Sequence, residues 1–325
     1  MRSITLRLPT PVQRLTIAGL KGELWLKQDG AIHELYGGNK ARKAALLLAH
    51  ATERGAQRVL TFGAAGSHHV LCTTLLARGF GLRVGAVLMP QPATEHARAV
   101  LGRSLAAGLE AYPAHSGWAA AWRFLQARQR GDYVVPPGGS SARGALAYAL
   151  AVLELEAQVA AGALPAPDWI VVPLGSGGTA AGLLAGLARS RLSSRLLAVS
   201  VLGNRWGATH VRYLATRALR LLPAVPLADG WRERLVLDAS QLGRGYGWAT
   251  SAGERAAALA AEQGLRLDPT YTAKAFAAAL ELARKPNERG APLRVLYWQT
   301  LSVPEGGPAS DAPLPAELSR LLVSE

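Results

Sequence analysis

Residues 171–183 read VVPLGSGGTAAGL. An apolar run leads into a turn of glycine, serine and threonine, and the turn gives way to small helix-favouring residues. That order describes a buried parallel strand, a tight turn and the helix that crosses back over the sheet. In the turn, Gly175, Ser176, Gly177, Gly178 and Thr179 would offer backbone N–H groups and two hydroxyls to an anion. The stretch has neither the Lys-Ser/Thr ending of a nucleoside-triphosphate P-loop nor a full GxGxxG fingerprint. It reads either as a phosphate cradle or as a tight connection without a ligand.

The same rhythm extends in both directions. Apolar runs at 23–26, 58–61, 83–88, 133–135, 169–173, 196–201 and 295–298 predict strands. Amphipathic Ala/Leu-rich stretches at 41–54, 68–78, 118–128, 142–161, 180–190, 252–262 and 271–284 predict helices. The fold class is therefore α/β with open parallel sheets. In such sheets ligands bind beyond the carboxyl ends of the strands, where strand-to-helix turns gather. Two further Gly/Ser-rich turns, at 63–67 and 138–141, suggest a ligand with more than one anionic group. The tail at 304–315, PEGGPASDAPLP, reads as a loop before a short helix.

Composition removes several classes. The 325 residues suffice for two domains or one large one, and a single cysteine, Cys72, forms no internal disulfide. That fits a reducing cytosol. No uncharged run approaches the ~18 residues of a membrane helix, and the start, MRSITLRLPTPVQRL, lacks the apolar core of a secretory signal. A cytoplasmic globular protein is expected. The formal charge of +14 raises a nucleic-acid partner, but only six of the 36 basic residues are lysines, and the arginines are scattered through Ala/Leu-rich helices. No basic run with interleaved aromatics and no nucleic-acid-binding signature appears. Composition bias explains the charge as well as function does. The adjacent His68 and His69 cannot share a helix face, and no second cluster completes a metal site, so no metal is expected.

Four further segments carry chemistry-bearing residues. In YGGNKARK, residues 36–43, Lys40 stands at a helix start, where the dipole disfavours a cation. Such a lysine is ordinarily a solvated surface charge; if desolvated, its lowered pKa makes it a nucleophile. Lys43 reaches the same side one turn later. In GAAGSHHV, residues 63–70, Ser67 either caps a helix or cradles a carboxylate with the amides that follow it. RGYGWAT at 244–250 and LDPTYTAKA at 267–275 place Tyr246 and Tyr271 at a loop and a helix start.

Taken in order, GGNKARK, PPGGSSARGALAY, GSGGTAAG, GYG and DPTYTAKA resemble the family of 1-aminocyclopropane-1-carboxylate deaminase and D-cysteine desulfhydrase, from Pro9 to about Thr300. The resemblance implies pyridoxal 5′-phosphate as cofactor and the tryptophan-synthase β-like fold, fold type II. It also implies a small domain of residues 43–151 inserted into a large one of 1–42 and 152–325, and a homodimer. It makes Lys40 the lysine that carries the cofactor, with Asn39 beside the cofactor's phenolic oxygen or phosphate. Lys43 and Gly175, Ser176, Gly177, Gly178 and Thr179 become the phosphate site, and Ser67 the contact to the substrate carboxylate. Tyr246 and Tyr271 become the active-site tyrosines, and Thr300 lies near the pyridine nitrogen.

Three segments depart from the family pattern. QSNH becomes Gly66-Ser67-His68-His69, so His68 replaces the asparagine by the ring; the deaminase glutamate becomes Thr272; HTGG becomes Trp298-Gln299-Thr300-Leu301. A hydroxyl rather than a carboxylate at the ring nitrogen, and Thr272 in place of glutamate, argue for β-elimination from a small amino acid over cyclopropane opening. The expected products are a 2-oxo acid and ammonia, with His68 and Trp298 reshaping the pocket for a larger or anionic side group. Ring opening and racemisation are the alternatives within the family. A cofactor-binding protein without turnover is the alternative outside it, and nucleic-acid binding ranks last.

Overall fold

The computed structural model describes residues 4–203, 207–287, 290–304 and 313–323. The chain opens with strands β1 (Val12–Leu15) and β2 (Glu23–Gln28) and leaves them through helix α1 (Gly38–Glu53). It then forms β3 (Arg58–Ala64), α2 (His68–Ala77), β4 (Arg83–Met89), β5 (Gln91–Pro92), α3 (Glu95–Ala106), β6 (Leu109–Pro113), α4 (Gly117–Ala127) and β7 (Tyr133–Val134). Helix α5 (Ala142–Ala160) leads back to β8 (Trp169–Leu174), α6 (Gly178–Arg189), β9 (Arg195–Ser200), α7 (Ala208–Leu219) and β10 (Leu235–Asp238). Next come α8 (Ser251–Glu262), α9 (Thr272–Ala283) and β11 (Arg294–Gln299), and the described chain ends with α10 (Ala316–Ser319) and β12 (Leu322–Val323). Residues 305–312 of the loop expected before that last helix lie outside the described residues.

Two main sheets result. The larger has the order β1-β2-β11-β8-β9-β10, and the smaller β6-β4-β3-β7. All pairings in both are parallel except β1 with β2. A parallel sheet is covered on both faces, so its strands need apolar residues at consecutive positions. β8 shows this directly: Ile170, Val172 and Leu174 pack with α5 and α6, whereas Val171 packs with α9. In β11, Leu296 and Trp298 face the first cluster, and Val295 and Tyr297 the second. The smaller sheet is packed around Val59, Val84, Leu88, Leu101 and Leu47. Leu318, Leu321 and Leu322, from the far end of the chain, join that cluster, and β12 pairs in parallel with β5.

A buried polar cluster fixes α1 against the larger sheet. Asp29 accepts from Arg42 Nε and Nη2, both at 2.9 Å, from Tyr148 Oη at 2.6 Å and from Trp298 Nε1 at 2.9 Å. Glu154 accepts from Arg42 Nη1 at 3.0 Å and from Lys27 Nζ at 2.6 Å. Two carboxylates thus balance two cations, which is the condition for holding such charges away from water. Burial alone would raise the Asp29 pKa, but Arg42 and the two ring donors outweigh it and leave the carboxyl below its ordinary value.

Trp298 corrects one expectation. Its side chain lies within this cluster and the core, not in a ligand pocket, because β11 directs it toward α5 rather than toward the end of the sheet.

Candidate active site

A cavity of about 280 Å³ opens where the ends of β3, β8 and β11 meet the start of α1. The Gly38 amide donates to the Asp29 carbonyl at 2.7 Å, and the Asn39 amide to the Thr300 carbonyl at 3.1 Å. Gly38 has φ +70°, and a Cβ there would lie 2.2 Å from the Thr300 carbonyl oxygen, so only glycine permits this docking. Lys40 consequently reaches the cavity. Its Nζ donates to Asn39 Oδ1 at 2.9 Å and lies 5.4 Å from the centre of the Tyr271 ring. Asn39 Nδ2 in turn donates to Thr179 Oγ1 at 3.0 Å, tying the lysine to the glycine-rich turn.

That turn is shaped for close approach by a ligand. Gly177 has φ +90°, a left-handed conformation that any side chain would strain, and it caps α6 without a side-chain hydrogen bond. Ser140 Oγ lies 2.7 Å from Ser176 Oγ and accepts from the Gly178 amide at 3.0 Å. Lys43 Nζ donates to the Gly138 carbonyl at 2.5 Å and lines the same cavity. The three small-residue turns therefore converge on one space: Gly63 and Ser67, Gly138, and Gly175 through Thr179.

Burial sets the protonation of the site. It lowers the pKa of Lys40, partly offset by Asp268, and it holds Lys43 well below the usual lysine range with help from Lys40. It also raises both tyrosines, Tyr271 strongly, and Tyr271 Oη donates to Tyr246 Oη at 3.1 Å. An amine biased toward its neutral form thus faces two phenols biased toward theirs. The cavity sets a candidate base beside two phenols that keep their protons.

Ser67 caps α2, accepting from the Val70 amide at 3.5 Å, and lines the cavity. His68 lines it too. Its Nδ1 lies 2.5 Å from Tyr36 Oη, its Nε2 lies 2.8 Å from His96 Nε2, and burial lowers its pKa to about 4. With Tyr36 held strongly protonated by burial, the consistent assignment has Tyr36 donating to Nδ1 and the His68 Nε2–H donating to His96. His69 also lines the cavity while buried, its Nε2 2.9 Å from Thr61 Oγ1.

Apart from Trp298, the residues expected at the site by sequence line this cavity: Lys40, Asn39, Lys43, Ser67, His68, the five residues from Gly175 to Thr179, Tyr246, Tyr271 and Thr300. Sequence reading overlooked Asp268, the one carboxylate among the described residues lining it. Asp268 accepts from the amides of Thr270, Tyr271 and Thr272 and from Thr272 Oγ1. An aspartate before a helix start is the available signal, and DPTYT contains it. Among the described residues no group of three His, Cys, Asp or Glu side chains is disposed to hold a metal.

Comparison with known proteins agrees with this geometry. The family model described as pyridoxal-phosphate-dependent enzyme matches residues 5–296. Nocardicin C-9′ epimerase from Nocardia uniformis subsp. tsuyamanensis is 35% identical, over 90% of this chain and 90% of its own. D-cysteine desulfhydrase from Yersinia pestis is 34% identical, over 84% of this chain and 85% of its own. Among solved structures, an ACC deaminase homologue superposes with a TM-score of 0.73 at 27% identity, covering 99% of this chain and 96% of that one. The residues present fit the cofactor these names imply. A side chain at Gly177 would be strained by its φ, one at Gly178 would come 2.7 Å from Ser140 Oγ, and Lys40 and Lys43 line the same cavity as this turn.

Proposed function

The chain belongs to the pyridoxal-phosphate-dependent enzymes, and from that premise we propose that it catalyses β-elimination from a small amino acid, giving a 2-oxo acid and ammonia. The observation that carries this is the pairing of a burial-depressed Lys40 with the neutral Tyr246–Tyr271 pair in one cavity. The cofactor, when bound, supplies an electron sink at the substrate's α-carbon. Lys43 and the turn from Gly175 to Thr179 would hold its phosphate, and Asn39 and Thr300, which line the same cavity, would contact the rest of it. Lys40 would be its anchor, and the lysine amine, set free when the substrate's amine takes its place on the cofactor, would take the proton at Cα. Ser67 and the first amides of α2 orient the substrate carboxylate. The tyrosine pair delivers a proton to the departing β-substituent, with Tyr271 nearer Lys40.

Thr300 is a hydroxyl and does not keep a ring nitrogen charged as a carboxylate would, which favours good leaving groups. Thr272, where the deaminases carry glutamate, is engaged by Asp268 through its own hydroxyl at 2.5 Å and offers no acid of its own. Both features support elimination over ring opening. The test is 2-oxo acid release from D-cysteine and β-chloro-D-alanine by the purified, cofactor-loaded protein. Failure of every β-substituted alanine would remove the assignment.

The epimerase among the relatives supports a second reading, inversion at Cα, which needs the same proton removal by Lys40. Chiral chromatography separates the two: inversion returns amino acid of opposite configuration and no 2-oxo acid. We further propose a small domain of residues 43–151 inserted into a large one, a homodimer as the working assembly and a cytoplasmic location. Among the described residues no helix is long and apolar enough to cross a membrane. Size-exclusion chromatography with light scattering tests the dimer.

A further inference from the structure

Lys274 is fully buried in the first turn of α9, three residues after Tyr271. Residues one turn apart lie on one side of a helix, and here both reach the same loop, residues 239–250 between β10 and α8. Tyr271 Oη donates to Tyr246 Oη at 3.1 Å, whereas Lys274 Nζ donates to the carbonyls of Leu242 at 2.8 Å and Gly245 at 3.1 Å. The second of those carbonyls belongs to the peptide that leads into Tyr246. The loop needs such a hold. Gly243, Gly245 and Gly247 have φ of +59°, +113° and +87°, all left-handed, and two of them flank Tyr246 directly. Glycine has the most conformational freedom to lose on ordering, so the backbone around Tyr246 does not by itself fix where the ring goes. Yet the ring is placed edge-on to that of Tyr271, with centres 5.7 Å apart and planes at 79°.

We propose that Lys274 is a positioning residue: by fixing the Leu242 and Gly245 carbonyls it sets Tyr246 against Tyr271 in the active-site cavity. The proposal rests on the reading of that tyrosine pair as the proton donor, and it names the group that keeps the pair assembled. An ammonium taken out of water must have its donors met, and hydrogen bonds from a charged donor are about twice as strong as neutral ones. Lys274 therefore binds the loop more firmly than an amide or hydroxyl would. It does not line the cavity as Lys40 and Lys43 do, so its effect on turnover runs through Tyr246.

The experiment is a double-mutant cycle on the holoenzyme with Lys274→Met and Tyr246→Phe, reading 2-oxo acid release from D-cysteine. Lys274→Met should lower kcat by about 10²-fold, the cost of a misplaced group. KM should change little, because in this reading the substrate carboxylate is held at Ser67. In the Tyr246→Phe background the same substitution should change kcat by less than about twofold. Equal losses in the two backgrounds overturn the proposal, since a lysine that merely supports the fold would lower both alike. Lys274→Gln, which keeps N–H donors, should retain more of the kcat, and it replaces the methionine variant in the cycle if that variant does not fold. Hydrogen exchange by mass spectrometry gives a readout without turnover. The amides of residues 242–247 should exchange about tenfold faster in Lys274→Met, with β8 and α6 unaffected; unchanged exchange in the loop overturns the proposal. If the wild-type protein releases no 2-oxo acid while the loop still loosens, the elimination reading fails and the hold on Tyr246 stands. If it releases 2-oxo acid and the cycle is additive, the reverse holds.

Discussion

An amine that is to remove a proton from carbon must first be without its own, and Lys40 is placed for that by burial rather than by a charged neighbour. Lys40→Ala should lower turnover by about 10²–10⁴-fold, the range for a positioned base. It should also abolish the pyridoxyl label that borohydride otherwise fixes on the peptide containing residue 40; a label that persists elsewhere would show a different anchor. Tyr271→Phe removes the hydroxyl donated to Tyr246, and its effect should fall on kcat more than on KM, because the substrate carboxylate is held elsewhere. The two histidines of α2 make a separate prediction about stability. Unfolded, both would take up a proton near 6.5; folded, His68 waits until about 4 and His69 until about 3. Between those values the unfolded chain binds more protons, so stability is intact above 6.5 and falls as pH drops toward 3. Urea midpoints measured from pH 7 downward should show this, and His69→Asn, which keeps a partner for Thr61, should flatten the slope.

At the level of elements, the site depends on two devices that hold helix starts in place. Arg42→Met would leave the Asp29 carboxylate without its cation in the interior, with Lys27 still paired to Glu154, which costs about 3–5 kcal/mol. The loss should be read as a lower urea midpoint and weaker cofactor retention, since the same contacts dock α1. Gly177→Ala forces a Cβ onto a φ of +90° at the start of α6; about 1–2 kcal/mol of strain follows, seen as roughly tenfold weaker cofactor binding at unchanged secondary structure. These devices were unequally legible. The turn at 175–179 and the strand before it announced themselves because apolar residues, then glycines, then helix formers stand in unbroken order. Asp29 and Arg42 did not, since a buried ion pair is made by residues that meet only after folding. Helices α3, EHARAVLGRSLA, and α7, ATHVRYLATRAL, were missed because their charged faces dilute the apolar stripe. Strand β1 was missed because an edge strand pairs on one side only and needs few apolar residues. His96 and Tyr36, distant in sequence, gave no sign of meeting at His68.

For the whole molecule, the decisive fact is that one cavity takes walls from both sheets: Phe62 and Gly63 from β3, Pro173 and Leu174 from β8. Anything bound there links the stabilities of the two halves. The smaller half has its core completed from the end of the chain, where Leu321 is fully buried among residues of the 56–101 region. Leu321→Ala should therefore cost about 2–5 kcal/mol without touching the site. In the cofactor-free protein that loss should appear as a lower melting temperature, and as earlier amide exchange in α2, β3 and β4 than in β8 and β9. Adding pyridoxal phosphate at about 100 times its Kd should return about 2.7 kcal/mol. The recovery should reach both halves, because the ligand binds only when both walls are folded. Hydrogen exchange by mass spectrometry on the mutant, with and without cofactor, reads this directly. Protection gained in β8 and α6 alone would mean that the smaller sheet contributes no binding energy, and that the cavity's closure is independent of what it holds.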